Sequence, residues 1–138
     1  MLPKNWAYPD LLIEKALCNL NVLLKKKKIC KGKVIGYHGT SASRAKSIGI
    51  NGFRNSVCVE GHYGVWFWDE DYRNNSIPAA QDKSKEDGDL EYAIIKAELD
   101  SPIPDLSPLA RPQWRATKDR IKILGVEYVP INQRPKFL

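Results

Sequence analysis

Cysteine and histidine are scarce in this chain. Its 138 residues include three cysteines, Cys18, Cys30 and Cys58, with no close pair, and two histidines, His38 and His62, neither in a cysteine-rich cluster. An odd number of thiols argues against a disulfide framework and suits a reducing compartment. Two histidines at no recurring spacing exclude a zinc site of about four ligands. Long apolar runs are missing as well. The longest, Leu11 to Leu24, is broken by Glu14, Lys15, Asn19 and Asn21, so nothing approaches the roughly 20 residues that span a bilayer. Met1 to Tyr8 lacks a basic stretch followed by an apolar core and a small-residue cleavage site, which leaves no ordinary secretory signal. The expectation is a metal-free protein that does not enter a membrane and works in a cytoplasm, its own or one into which it is delivered.

What is present points to one folded domain covering 1–138. Hydrophobic residues make up 43% of the chain and charged ones 28%, enough to enclose a single core at this length. There are no repeats and no linker. The formal charge of +6 draws anions by a salt-sensitive, long-range attraction. It is concentrated, since Lys25 to Lys28, Lys31 and Lys33 put six positive charges into nine residues. Before that run, Leu12, Ile13, Ala16, Leu17, Leu20, Leu23 and Leu24 recur at helical spacing behind Pro9, which predicts an amphipathic helix packed on the domain. Residues 1–32 are thus an N-terminal helix with a basic turn, and 33–138 the core.

The core reads as mixed α and β. Lys33 to Tyr37 predicts a strand, placing His38 at its end. Thr40 or Ser41 then caps a short helix with Ala42, Ala45 and Ile48 on its inner face, Gly49 and Gly52 at its exit, and Ile50 and Phe53 anchoring the return. Asn55 to Tyr63 is loop-like, and Val65-Trp66-Phe67-Trp68 predicts a second strand ending at Asp69-Glu70-Asp71. Arg73 to Asp89 suggests a poor helix around Ala79 to Lys83 and a solvated loop, a candidate mobile flap. Glu91 to Leu99 is apolar enough for a strand inside a sheet. After the prolines at 102, 104, 108 and 112, Trp114 to Ile121 predicts a short helix and Ile123 to Ile131 a last strand.

Two segments have what a phosphate-rich ligand requires. In the first, Gly39 lets a ligand approach the backbone, His38 and Thr40 offer hydrogen bonds to sugar hydroxyls, and the following helix start favours an anion; an ordinary capped turn explains the same residues. In the second, Tyr63 and Trp66 present flat faces for stacking, with Val65 and Phe67 on the opposite side and Trp68 structural; core packing is the competing explanation.

The ordered set Tyr37-His38-Gly39-Thr40, Ala45, Ile48, Gly52-Phe53 and Gly61-His62-Tyr63-Gly64-Val65-Trp66-Phe67 resembles the diphtheria-toxin and poly(ADP-ribose) polymerase branch of the ADP-ribosyltransferases. The resemblance implies an α+β fold with a pinched antiparallel β-core and NAD as co-substrate in its cleft. His38 and Gly39, helped by Thr40, would hold the adenosine ribose and the nicotinamide amide. Tyr63, slightly displaced from the family's spacing, and Trp66, in place of its second tyrosine, would flank the nicotinamide. The family's late-strand glutamate, which favours the oxocarbenium-like transition state, would be Glu127, with Gln133 as a lesser substitute; a solvent-facing strand residue fits Glu127 equally. The implied activity is transfer of ADP-ribose to a protein or nucleic acid with nicotinamide release, as in a toxin, effector or phage-borne modifier. Two alternatives stay open. One is a catalytically degenerate module that binds a protein or nucleic acid. The other is an NAD-dependent RNA 2′-phosphotransferase, which also carries His-Gly-Thr but uses further Arg and His residues.

Overall fold

A computed structural model of the chain describes residues 32–54, 56–57, 63–104 and 112–137. The predicted N-terminal helix, most of the lysine run, all three cysteines and His62 lie outside the described residues.

The sheet is antiparallel throughout. Its strands are β1 (Lys33–Ser41), β2 (Ser56–Val57), β3 (Tyr63–Asp69), β4 (Glu91–Asp100), β5 (Ile103–Pro104), β6 (Gln113–Ala116) and β7 (Ile121–Pro130). Six of them run in the order β5-β6-β3-β1-β4-β7, and β2 adds to β3. Among the described residues two α-helices, α1 (Ala42–Asn51) and α2 (Ser76–Asp87), join the sheet in an α+β architecture. Among the described residues no helix is long and apolar enough to cross a membrane.

The β1–β4 ladder runs without interruption from Lys33 opposite Asp100 to Ser41 opposite Tyr92. That full-length pairing corrects the expected strand end at Tyr37 and places His38, Gly39 and Thr40 inside β1. By contrast, β1 and β3 share only two register pairs, Gly36 with Asp69 and Tyr37 with Trp68. Beyond them His38 Nδ1 reaches the Trp66 carbonyl at 2.8 Å, so a side chain takes over where the two strands stop pairing.

Side chains directly opposed in an antiparallel ladder lie on one face, which sorts the core into two layers. On the α1 face, Val34, Ala45, Phe53, Phe67, Ile95 and Leu99 pack with Trp114. On the α2 face, Tyr37, Ile77, Ala80, Tyr92, Ile94 and Val129 pack together.

The α1 expectation holds in its inner face and cap. Ser41 is the N-cap, its hydroxyl accepting from Arg44 N at 3.2 Å, and the chain leaves at Gly52 with φ +77°, in the left-handed region that favours glycine. Ala42 and Ala45 are buried and Ile48 packs against the core. Ile50, expected as an anchor, is 83% exposed: two positions past Ile48 on a helix it points away from that face.

Three other expectations are corrected. The segment expected as a poor helix and flap forms the 3₁₀ turn Glu70–Asn75 and the twelve-residue α2, which packs on β1 and β4. Pro78 stands in the first turn of α2, where no intrahelical acceptor awaits an N–H. Ser76, Ile77, Ala80 and Ser84 form the buried stripe, and Gly88 ends the helix at φ +74°. Trp114 to Ile121, expected as helix, is β6 followed by the 3₁₀ turn Lys118–Arg120. In β6, half-buried Gln113 and Arg115 alternate with buried Trp114 and Ala116, a period of two. The last strand starts at Ile121 rather than Ile123.

Candidate functional site

A cleft of about 590 Å³ opens on the α1 side of the sheet where β1 and β3 part. His38 and Thr40 line it from β1, Arg44, Ser47, Ile48 and Asn51 from α1, and Val65 and Trp66 from β3. Phe53 and Arg54, just after α1, line it too, and Lys83 enters from α2. No Asp or Glu is among these lining residues.

His38 is held firmly. Its ring meets Phe53 edge-on at 5.4 Å and Phe67 at 5.6 Å. The Trp66 carbonyl can only accept, which makes Nδ1 the protonated nitrogen and leaves Nε2 as an acceptor. Burial, with a contribution from the Lys83 charge, lowers the His38 pKa to about 4. At neutral pH the imidazole is therefore uncharged, and Nε2 makes no hydrogen bond among the described residues. It is suited to receive a hydroxyl, not an anion.

Lys83 supplies positive charge beside it. Its ammonium donates to Gly39 O at 3.3 Å. Burial, and the nearby Arg44 charge, push its pKa below the usual lysine value. Arg44 is already committed, with Nε 2.8 Å and Nη2 2.9 Å from the two oxygens of Asp87.

The start of α1, expected to favour an anionic ligand, is occupied by the protein's own carboxylates. Asp89 Oδ2 accepts from Ser43 N at 3.0 Å and from Ser43 Oγ at 2.7 Å. The Ser41 hydroxyl donates to Asp87. These bonds hold both aspartates below the ordinary carboxylate range, Asp87 chiefly through Arg44 and Asp89 chiefly through Ser43 N.

Of the residues singled out in the sequence, the structure brings His38, Thr40 and Trp66 to the cleft. Trp66 meets His38 through its backbone carbonyl; its half-buried ring, with the Arg115 guanidinium 5.9 Å away, alternates with Val65 and Phe67, which are buried in the α1-face core, and so lies on the other face of β3. Tyr63 begins β3 opposite Val57; its side chain lies outside the described residues. Gly39 does not face the cleft. A Cβ there would stand 2.1 Å from Ser76 O and 2.9 Å from Ala80 Cβ, so the missing side chain makes room for α2.

Glu127 is on the other side of the sheet from His38. It stands opposite Ile94, which stands opposite Gly39, all on the α2 face, whereas His38 aligns with Ile95 and Val126. Its carboxylate accepts from Lys136 N at 2.7 Å and Phe137 N at 2.8 Å, fastening the C-terminal segment. Gln133, the substitute, offers its carbonyl to the Tyr92 hydroxyl on the same face. Nor does the acidic run after β3 face the cleft at Asp69, which is buried and accepts from Trp114 Nε1 at 3.0 Å.

Sequence reasoning missed Lys83, Arg54 and Arg44. Arg44 at i+3 from the Ser41 cap was recoverable from helical spacing; Lys83 was not, because its place depends on how α2 packs. Among the described residues no cluster of His, Cys, Asp or Glu is arranged to hold a metal ion. No protein family, curated protein or solved structure matches this chain.

Proposed function

We propose that the chain is an ADP-ribosyltransferase-like domain that binds NAD in this cleft and transfers ADP-ribose to a macromolecular acceptor. The observation that carries the reading is His38. It is a neutral imidazole fixed by the Trp66 carbonyl at the point where β1 and β3 part, with Nε2 available for a ribose hydroxyl. The two-pair β1–β3 ladder fits the pinched β-core that the resemblance implies. Cations at Lys83 and Arg54 and an apolar wall from Phe53 suit a dinucleotide in charge and in shape. In the proposed reaction the bond between nicotinamide nitrogen and ribose C1′ breaks, nicotinamide leaves with the electron pair, and an acceptor nucleophile takes the carbon. Glu127 has no part at the reacting bond in this reading.

A second reading, a degenerate module that binds the nucleotide without cleaving it, is favoured by one observation: among the described residues no carboxylate lines the cleft. Incubation of the purified chain with NAD and candidate acceptors, followed by nicotinamide release, separates the two. Release that His38→Ala abolishes in a folded protein supports the transferase. NAD binding by titration with no release supports the nucleotide-binding module, and no binding of NAD removes both and leaves the degenerate module that binds a protein or nucleic acid.

A further inference from the structure

The helix start that ordinarily attracts phosphate is blocked here. Asp89 accepts both Ser43 N and Ser43 Oγ, and Asp87 holds Arg44 through two hydrogen bonds. An incoming phosphate at α1 would meet two carboxylates before it met a backbone N–H. The cleft nevertheless contains positive charge that no carboxylate among the described residues neutralises directly. The Lys83 ammonium carries three donors, and among the described residues it makes one hydrogen bond, to Gly39 O. Its nearest acidic neighbours on α2, Glu86 and Asp87, are engaged with Arg44. Arg54 lines the cleft, and the ion pairs seen among the described residues, Lys33 with Glu98 and Arg44 with Glu86 and Asp87, do not include it. Next to Lys83, His38 presents an acceptor that would repel a phosphate oxygen and welcome a hydroxyl. Acceptor and cation side by side describe a sugar hydroxyl next to a phosphate.

We propose that Lys83, aided by Arg54, is the phosphate-binding subsite of the cleft, and that the ligand is a nucleoside diphosphate or a conjugate of one, its ribose hydroxyl on His38 Nε2. Lys83 approaches from α2, behind β1, so the phosphates sit in the opening between β1 and β3 rather than on the α1 terminus. The nucleoside part of this inference rests on the dinucleotide reading above; the phosphate part does not.

The test is calorimetric titration of the full chain with inorganic pyrophosphate, ADP, adenosine and NAD. The variants are Lys83→Met, which keeps the apolar stem, Lys83→Arg, which keeps the charge, and Asp89→Asn, which lightens the charge at the α1 terminus; each is checked by unfolding. The expected result is that the wild type binds pyrophosphate and ADP. Lys83→Met should weaken both at least tenfold without changing adenosine affinity, Lys83→Arg should recover most of the loss, and Asp89→Asn should alter neither by more than about twofold. Binding of ADP within twofold of wild type in Lys83→Met overturns the proposal, as does a wild type that takes neither ADP nor pyrophosphate. If ADP binds through Lys83 and NAD is neither bound nor cleaved, the subsite stands and the NAD reading falls. If Lys83→Met cleaves NAD as the wild type does, the NAD reading stands and the subsite falls.

Discussion

On the α2 face of the sheet, Glu127 receives two backbone N–H groups from the C-terminal segment, the Tyr92 hydroxyl donates to Gln133 O, and Gln81 donates to Ile131 O. On the α1 face, His38 keeps Nε2 unused and Lys83 reaches in with one carbonyl as partner. Both faces are laid on the same β1 and β4, so strand chemistry does not distinguish them. What differs is closure. The C-terminal segment seals one face, with Phe137 edge-on to Tyr37 at 5.7 Å and the Arg73 guanidinium 5.3 Å from its ring. The other is left open by the early parting of β1 and β3. Polar groups spent on protein partners stabilise; polar groups held in place but unspent are available for a ligand. The glutamate that looked catalytic belongs to the first class.

The largest expected effect breaks the contact between the two faces. Gly39 is on the strand carrying His38, but its absent side chain is where α2 rests. Gly39→Ala puts a methyl 2.1 Å from a backbone oxygen, which cannot swing away as a side-chain tip can. We expect a loss of about 3 kcal/mol or more, measured by urea unfolding, and with it the displacement of Lys83. Stability near wild type together with normal ligand binding would mean that α2 is not the fixed support described here.

The second prediction concerns pH and sharpens the contrast at His38. Its pKa in the fold, about 4, is below the ordinary 6.5. Between these values the unfolded chain takes up a proton that the folded chain refuses, so stability is retained above pH 6.5 and declines as pH falls toward 4. The shift corresponds to about 3 kcal/mol. In His38→Asn, whose side-chain amide can still donate to Trp66 O, that part of the pH dependence should vanish. Equal slopes for the two proteins between pH 6.5 and 4.5 would show that the imidazole is not buried in its neutral form.

How much of this was legible in the sequence depends on the range of the interactions. A cap at Thr40 or Ser41, the inner face at Ala42 and Ala45, and the β-prone run Val65 to Trp68 follow from neighbours within a few residues, and the structure has all three, with Ser41 as the cap. The β6 error arose because Gln113 to Ala116 is too short for periodicity to choose between strand and helix; pairing with β3 decided it, Val65 opposite Ala116 and Trp68 opposite Gln113. Composition from Arg73 to Asp89 is polar enough to pass for a loop, and the apolar stripe at Ile77 and Ala80 becomes visible only against β1. Within the candidate site, the sequence singles out His38 and Thr40, although the turn it expects there is the interior of β1. It does not single out Lys83, since no pattern in the α2 sequence marks Lys83 rather than Lys85 as the one that enters a cleft. The face on which Glu127 lies was fixed by a register across three strands, Gly39 to Ile94 to Glu127, which no local pattern contains.

A third, smaller effect tests whether the sealed parts of the molecule are sealed by specific bonds. Trp114 is fully buried, and its indole N–H is 3.0 Å from Asp69 Oδ1. Trp114→Phe retains most of the apolar volume but withdraws a donor from a buried carboxylate. A loss of about 2 kcal/mol is expected, read from thermal or urea unfolding. Since Asp69 is outside the cleft, ADP affinity should be unchanged; a parallel fall in affinity would join Asp69 to the ligand side of the molecule.

The smallest predicted effect falls on Glu127, where the two readings of one residue diverge most. As the family's catalytic carboxylate it would tolerate no replacement, and Glu127→Gln would remove nicotinamide release altogether. As the fastening of the C-terminal segment it contributes two charge-assisted hydrogen bonds to exposed or half-buried backbone. The glutamine amide retains one acceptor oxygen for them and loses the charge. That exchange should cost about 1 kcal/mol and speed amide hydrogen exchange at Lys136 and Phe137, while nucleotide binding, and release if the wild type shows it, stay within about twofold. The asymmetry of the outcomes makes the variant informative despite its small effect: faster exchange at those two amides with unchanged turnover fixes Glu127 to the sealed face, whereas lost turnover with unchanged exchange would require the C-terminal segment to leave Glu127 and the strand to turn its other face to the ligand.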